Sequence, residues 1–169
     1  MGQRATLWRG LCKALARRGH QVVFFERDVP YYASSRDLTA LPYGELCLYP
    51  RWDDALPIAR RQLADADVAM VTSYCPDGVA AADLVLESPV QVRACYDFDR
   101  PVTLARLHAG EPVEYIGPRG LGEFGLVLSY TGGEALAELQ AHLGARRVVP
   151  LYGSVDPARS TSGWPPGSG

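Results

Sequence analysis

Hydrophobic positions repeat with one period and then another along the chain. Leu7, Leu11 and Leu15 recur every four residues while Arg9, Lys13 and Arg17 keep to another face. This spacing predicts an amphipathic helix over residues 6–18, stopped by Gly19. Apolar runs follow at 20–28 (HQVVFFERD) and 44–52 (GELCLYPRW), and each reads as a buried strand. Helices around 53–65, 77–87 and 132–143 then alternate with strands at 67–74, 90–98, 125–130 and 146–152. A short helix is expected from Pro101, ahead of a turn-rich stretch. Parallel neighbours need crossover connections, so this alternation implies an α/β fold with a doubly wound, mostly parallel sheet.

The two ends depart from that pattern. The chain opens on a helix, whereas doubly wound folds begin with a strand whose C-terminal loop feeds the first helix. At the other end, residues 158–169 (ARSTSGWPPGSG) are too rich in Gly, Pro and Ser to bury much apolar surface and read as a disordered tail. Residues 1–157 are left as one Rossmann-like domain.

With 169 residues and 47% hydrophobic content, the chain has material for one core. A formal charge of −2 gives no overall attraction to nucleic acid or to an anionic membrane, and no apolar run reaches the length of a bilayer span. No apolar signal segment opens the sequence, so a cytoplasmic location is expected. Cys12, Cys47, Cys75 and Cys95 form no Cys-x-x-Cys pair and fit reduced core thiols. His20, His108 and His142 build no convincing Ser/His/Asp triad, and no His/Asp/Glu pattern points to a metal.

Ligands of open α/β sheets bind outside the carboxyl ends of the strands. That rule selects Glu26, Arg27 and Asp28; Ser73, Tyr74 and Asp77; Asp97 and Asp99; Tyr130, Thr131, Gly132 and Gly133; and Tyr152 and Gly153. Residues two apart on a strand share a face, so Asp97 and Asp99 form a pair of acids. In a partly desolvated cleft their repulsion raises one pKa and makes a general base for an acceptor hydroxyl. Equally, Asp99 complements the positive end of the helix begun by Pro101, and Asp97 pairs with Arg93, Arg100 or another arginine.

Ser73, Tyr74 and Asp77 sit on a strand-to-helix turn, where they either hold a substrate hydroxyl or satisfy backbone donors. Thr131 and Glu134 have capping-box spacing, which competes with an anion site but is compatible with a neutral, hydroxylated ligand. Residues 120–125 match G-x-G-x-x-G literally, yet they follow a Pro-Arg turn and lead into a strand. Nucleotide binding is not expected there, and a structural turn explains these glycines better.

Several stretches, taken together, resemble the N-terminal half of the CgeB-like glycosyltransferases, relatives of bacterial spore-maturation proteins with GT-B architecture. They are residues 5–38 (ATLWRGLCKALARRGHQVVFFERDVPYYASSRDL), 64–78 (ADADVAMVTSYCPDG), 96–120, 125–133 (GLVLSYTGG) and 143–157 (LGARRVVPLYGSVDP). The resemblance implies two facing Rossmann-like domains, the first shaping the acceptor side of the cleft and the second holding the nucleotide-sugar donor. On this chain it places Ser73, Tyr74, Asp77, Asp97, Asp99, Thr131 and Gly132 on the acceptor side, with Tyr152 and Gly153 near the interdomain crossing and Asp97 and Asp99 as base candidates.

Relatives of this kind carry a first strand and a donor domain; the resemblance implies that both are missing here, so a sheet with a gap in its middle and little activity alone are expected. No tightly bound cofactor is implied; the nucleotide-sugar donor belongs to the complete enzyme. Expected partners are a small-molecule or glycan acceptor and a missing donor domain. The alternative is a non-catalytic module that recruits a complementing strand.

Overall fold

The computed structural model describes residues 2–29, 41, 43–98, 103, 105–106, 109–111, 113 and 115–153. Asp99, most of the short helix expected from Pro101 and the tail at 158–169 lie outside the described residues. The chain forms two compact units, one of residues 1–25, 29–47 and 153–169, the other of residues 26–28 and 48–152.

Four described helices and six strands alternate in a Rossmann-like α/β fold. In chain order they are α1 (Gly2–Arg17), β1 (Val23–Arg27), β2 (Glu45–Tyr49), α2 (Trp52–Asp65), β3 (Val68–Thr72), α3 (Gly78–Glu87), β4 (Val92–Asp97), β5 (Leu126–Ser129), α4 (Glu134–Leu143) and β6 (Val148–Pro150). Among the described residues, no helix is long and apolar enough to cross a membrane. A doubly wound sheet with a gap in its middle was the expectation; the described strands form a two-stranded sheet, β1–β2, and a four-stranded sheet in the order β3–β4–β5–β6. The hydrogen-bonding division falls between β1–β2 and β3, and no described strand bridges it.

In the smaller unit, α1 ends as its sequence predicts. Gly19 takes φ = +84°, and the N–H groups of Gly19 and His20 donate to the carbonyls of Ala16 and Leu15 at 3.0 and 3.1 Å. These two bonds satisfy the last carbonyls of the helix in a Schellman motif, which needs a left-handed residue at that place. Cys12 is buried, and the Trp8 ring meets Phe24 edge-on at 5.2 Å.

The larger unit holds the parallel sheet. β3 and β4 align Val68 with Val92 and Thr72 with Tyr96; β4 and β5 align Cys95 with Val127; β5 and β6 align Val127 with Val148. Alternation sends Ala69, Val71, Cys95 and Val127 to one face, where Val85 and Leu86 of α3 and Leu139 and Leu143 of α4 join them in one core cluster. Val68, Met70 and Val92 belong to the other face and are 54%, 37% and 40% exposed. Both helices lie on the same side because successive right-handed crossovers move the chain in one direction across the sheet.

Residues 117–125 form the turn that leads into β5, at the amino end of the sheet. Gly120 holds φ = +60°, and a Cβ there would lie 2.9 Å from the Leu143 carbonyl oxygen. The Leu121 N–H donates to that same carbonyl at 2.8 Å. These glycines let the turn pack on the end of α4, and no helix N-terminus follows them, so the fingerprint match carries no phosphate site.

Candidate functional site at the carboxyl ends of the strands

Sheet hydrogen bonding continues one step beyond the strands. The N–H groups of Ser73, Tyr130 and Leu151 donate to the carbonyls of Tyr96, Asp97 and Ser129 at 3.0, 2.9 and 2.7 Å. The residues that follow β3, β4, β5 and β6 are thereby set side by side.

Beneath them lies a buried polar chain centred on Asp97, which is 2% exposed. Its Oδ1 accepts from the Ser73 hydroxyl at 2.7 Å and from the Thr103 hydroxyl at 3.3 Å. Tyr115 completes the chain by pairing its hydroxyl with Thr103 at 2.5 Å, while Ser73 Oγ accepts the Phe98 N–H at 3.1 Å. Asp97 therefore holds the ends of β3 and β4 to residues 103 and 115. To act as a base on an acceptor arriving from solvent, it would first have to be uncovered. Its expected partner Arg93 points elsewhere, donating from Nη2 to the Ser88 carbonyl at 3.3 Å.

Asp77, just before α3, is engaged through both oxygens. Arg27 donates to Oδ1 at 3.0 Å and the Tyr49 hydroxyl to Oδ2 at 3.1 Å. Burial, then the electrostatic influence of Cys75 and of the Asp77 carboxylate, pushes the Tyr49 phenol well above its ordinary range. Burial likewise raises the Cys75 thiol. Asp77 caps no helical N–H through its side chain, so its place in the structure is an ion-paired strut between strand ends and α3.

Thr131 does not form the capping box expected of it. α4 begins at Glu134 with Gly133 as its N-cap, and Gly133 holds φ = +68° and ψ = −142°, a region open essentially to glycine. Those two residues of delay carry Thr131 out of capping position. Its N–H donates instead to Ser129 Oγ at 3.3 Å, and the two hydroxyls lie 3.3 Å apart. Gly132 sits under Tyr152, since a Cβ on it would collide with the Tyr152 hydroxyl. Gly153 follows, exposed, at the end of the described chain.

Each strand of the large sheet is followed within two residues by an aromatic: Tyr74, Phe98, Tyr130 and Tyr152. Tyr74, Tyr130 and Tyr152 are 39%, 38% and 61% exposed. Tyr74 holds φ = +63°, rare for a residue with a side chain, and its ring lies 5.6 Å from that of Tyr115. Phe98 lies 6.5 Å from Tyr130 and 4.1 Å from Tyr96. Tyr96 is fully buried and donates its hydroxyl to the Leu151 carbonyl at 2.6 Å, tying β4 to the end of β6. Burial, with Tyr130 as a lesser cause, pushes its phenol up to about 12.

Tyr130 stood among the strand-end residues but not among the substrate-binding ones, and Phe98, Thr103 and Tyr115 were not singled out at all. An aromatic after every strand was a legible signal for the first two; nothing local marks the others. Residues 73–77, 130–133 and 151–153, directly after β3, β5 and β6, include no lysine or arginine, and Arg27 reaches this end through its bond with Asp77. No group of three or more His, Cys, Asp or Glu side chains that could share a metal ion occurs among the described residues. No protein-family model, curated protein or solved structure matches this chain.

Proposed function

We propose that this chain forms the acceptor side of a two-domain glycosyltransferase of GT-B type. In this reading a sugar passes from a nucleotide-sugar donor, held by a second domain, to a hydroxyl of an acceptor resting on the strand ends. The observation that carries the reading is the character of those ends: hydroxyl and aromatic side chains over a buried Asp97, with the nearby Arg27 already paired with Asp77. Such a surface suits a neutral, hydroxylated molecule better than a phosphate, which calls for basic groups or a free helix N-terminus. The resemblance to CgeB-like glycosyltransferases supports the same assignment.

The test is a sugar-transfer assay from nucleotide-sugar donors with the chain alone and with a donor domain supplied in trans. Transfer is expected only from the combination. Transfer by the isolated chain would contradict the two-domain premise, and none under either condition would remove the catalytic reading.

A second reading has its own observation. β3 is an edge strand of the large sheet and exposes Val68 and Met70, so an extended apolar segment from a partner could add to it as a parallel strand. Hydrogen exchange of the Val68, Met70 and Thr72 amides with and without an alternating apolar peptide tests this. Slowed exchange supports strand addition, and unchanged exchange rules it out for that peptide class.

A further inference from the structure

The exposed aromatics are a different feature from the hydroxyls on which the acceptor reading was first built, and they narrow the ligand. We infer that Tyr74, Phe98, Tyr130 and Tyr152 form a stacking rim that takes an uncharged pyranose ring; this inference rests on the acceptor-side reading and specifies its substrate class.

Three observations carry it. First, the rim is placed by the backbone: the continued sheet hydrogen bonds set one ring after each of the four strands, at the end where open α/β sheets bind ligands. Second, its members are held while their faces stay accessible. Tyr74 is braced by Tyr115 at 5.6 Å and Phe98 by Tyr96 at 4.1 Å, and Tyr152 rests on Gly132, where no side chain larger than hydrogen fits. Tyr74, Tyr130 and Tyr152 nevertheless remain more than a third exposed, although aromatic rings normally bury most of their area. Third, the adjoining groups include the Thr131 hydroxyl and backbone, and Arg27, which reaches this end, is already ion-paired with Asp77.

A pyranose offers what such a surface can use: a face of C–H groups to lie on a ring and an equatorial belt of hydroxyls within reach of Thr131. A planar nucleobase would also stack, but it presents edge donors and acceptors and, in a nucleotide, a phosphate that would have to compete with Asp77 for Arg27.

The experiment is aromatic 1H–13C NMR of the full chain with labelled tyrosines. The probes are neutral gluco-, manno- and galacto-configured oligosaccharides up to tens of millimolar, with adenosine and thymidine as planar comparisons. The expected result is shifts at Tyr74, Tyr130 and Tyr152 with at least one saccharide, and none at Tyr43, which is 41% exposed but precedes β2. Tyr152→Ala and Tyr130→Ala should each weaken that binding roughly two- to tenfold, with Tyr152→Phe close to wild type. Shifts with the nucleosides alone would overturn the pyranose assignment in favour of planar rings, and no shift with any probe would overturn the rim as a binding site. Neither readout needs a donor or a second domain. Failed transfer with intact saccharide shifts would therefore count against the transferase reading alone, and transfer without saccharide shifts would count against the rim alone.

Discussion

The two ends of the four-stranded sheet use similar residues for opposite purposes. At the amino end, Gly120 and Gly122 let a turn close on the carbonyls of Leu143 and Gly144, and Arg119 joins Asp83, Glu87 and Glu123 in an exposed ion-pair network. At the carboxyl end, Gly132 makes room for a tyrosine, and the acidic group is buried among hydroxyls instead of paired in solvent. A glycine-rich string thus has no fixed meaning. What it does depends on which end of the strands it occupies, because only one end gathers loops around a shared space.

The largest effect on this contrast should come from Asp97→Ala. Removing the carboxylate strands the buried hydroxyls of Ser73 and Thr103 and should cost about 3 kcal/mol in a denaturant titration, with Asp97→Asn recovering about half. A loss under about 1 kcal/mol would mean that the carboxyl end is not held together by this group. At the amino end, Gly120→Ala should cost about 2 kcal/mol, since it adds a contact with the Leu143 carbonyl to an unfavourable φ. Gly19→Ala, with a φ of +84° but no neighbour within 4 Å, should cost about 1 kcal/mol and so separates conformation from packing.

Alkaline pH should act next. Burial, aided by Asp97, pushes the Cys95 thiol up from its ordinary value of 9.0 to about 12. The folded protein keeps this proton where the unfolded chain loses it, so the stabilisation is complete below pH 9 and declines as pH rises toward 12. Each such group loses up to about 1.4 kcal/mol per pH unit in that window. Melting temperatures between pH 8 and 10 should fall, and Cys95→Ala should lessen the fall above pH 9; an unchanged slope would contradict the burial of this thiol. The smallest effect belongs to Arg27→Ala. Arg27 is 36% exposed, so solvent screening limits its bond with Asp77 to under about 1 kcal/mol in the same titration.

The parts legible from sequence were those encoded locally. Apolar periodicity marked every described helix and strand, because a face buried in a core must repeat at the period of its backbone. The strand-end rule reached Ser73 and Asp97, which the structure joins at 2.7 Å. Thr103 and Tyr115 escaped it because they reach Asp97 from a turn-rich stretch with no period to read. The capping box failed over one backbone torsion, the positive φ of Gly133, which residue spacing does not record. Local alternation specified the strands but not which of them share hydrogen bonds; the gap expected in the sheet came from the family resemblance and not from periodicity.

The most direct test of the account is to titrate the isolated chain by calorimetry with neutral oligosaccharides and, separately, with nucleotide sugars. An acceptor-side domain predicts heat from an oligosaccharide, abolished in a Tyr130→Ala/Tyr152→Ala double variant, and none from the nucleotide sugars. Binding of a nucleotide sugar with indifference to every oligosaccharide would contradict it.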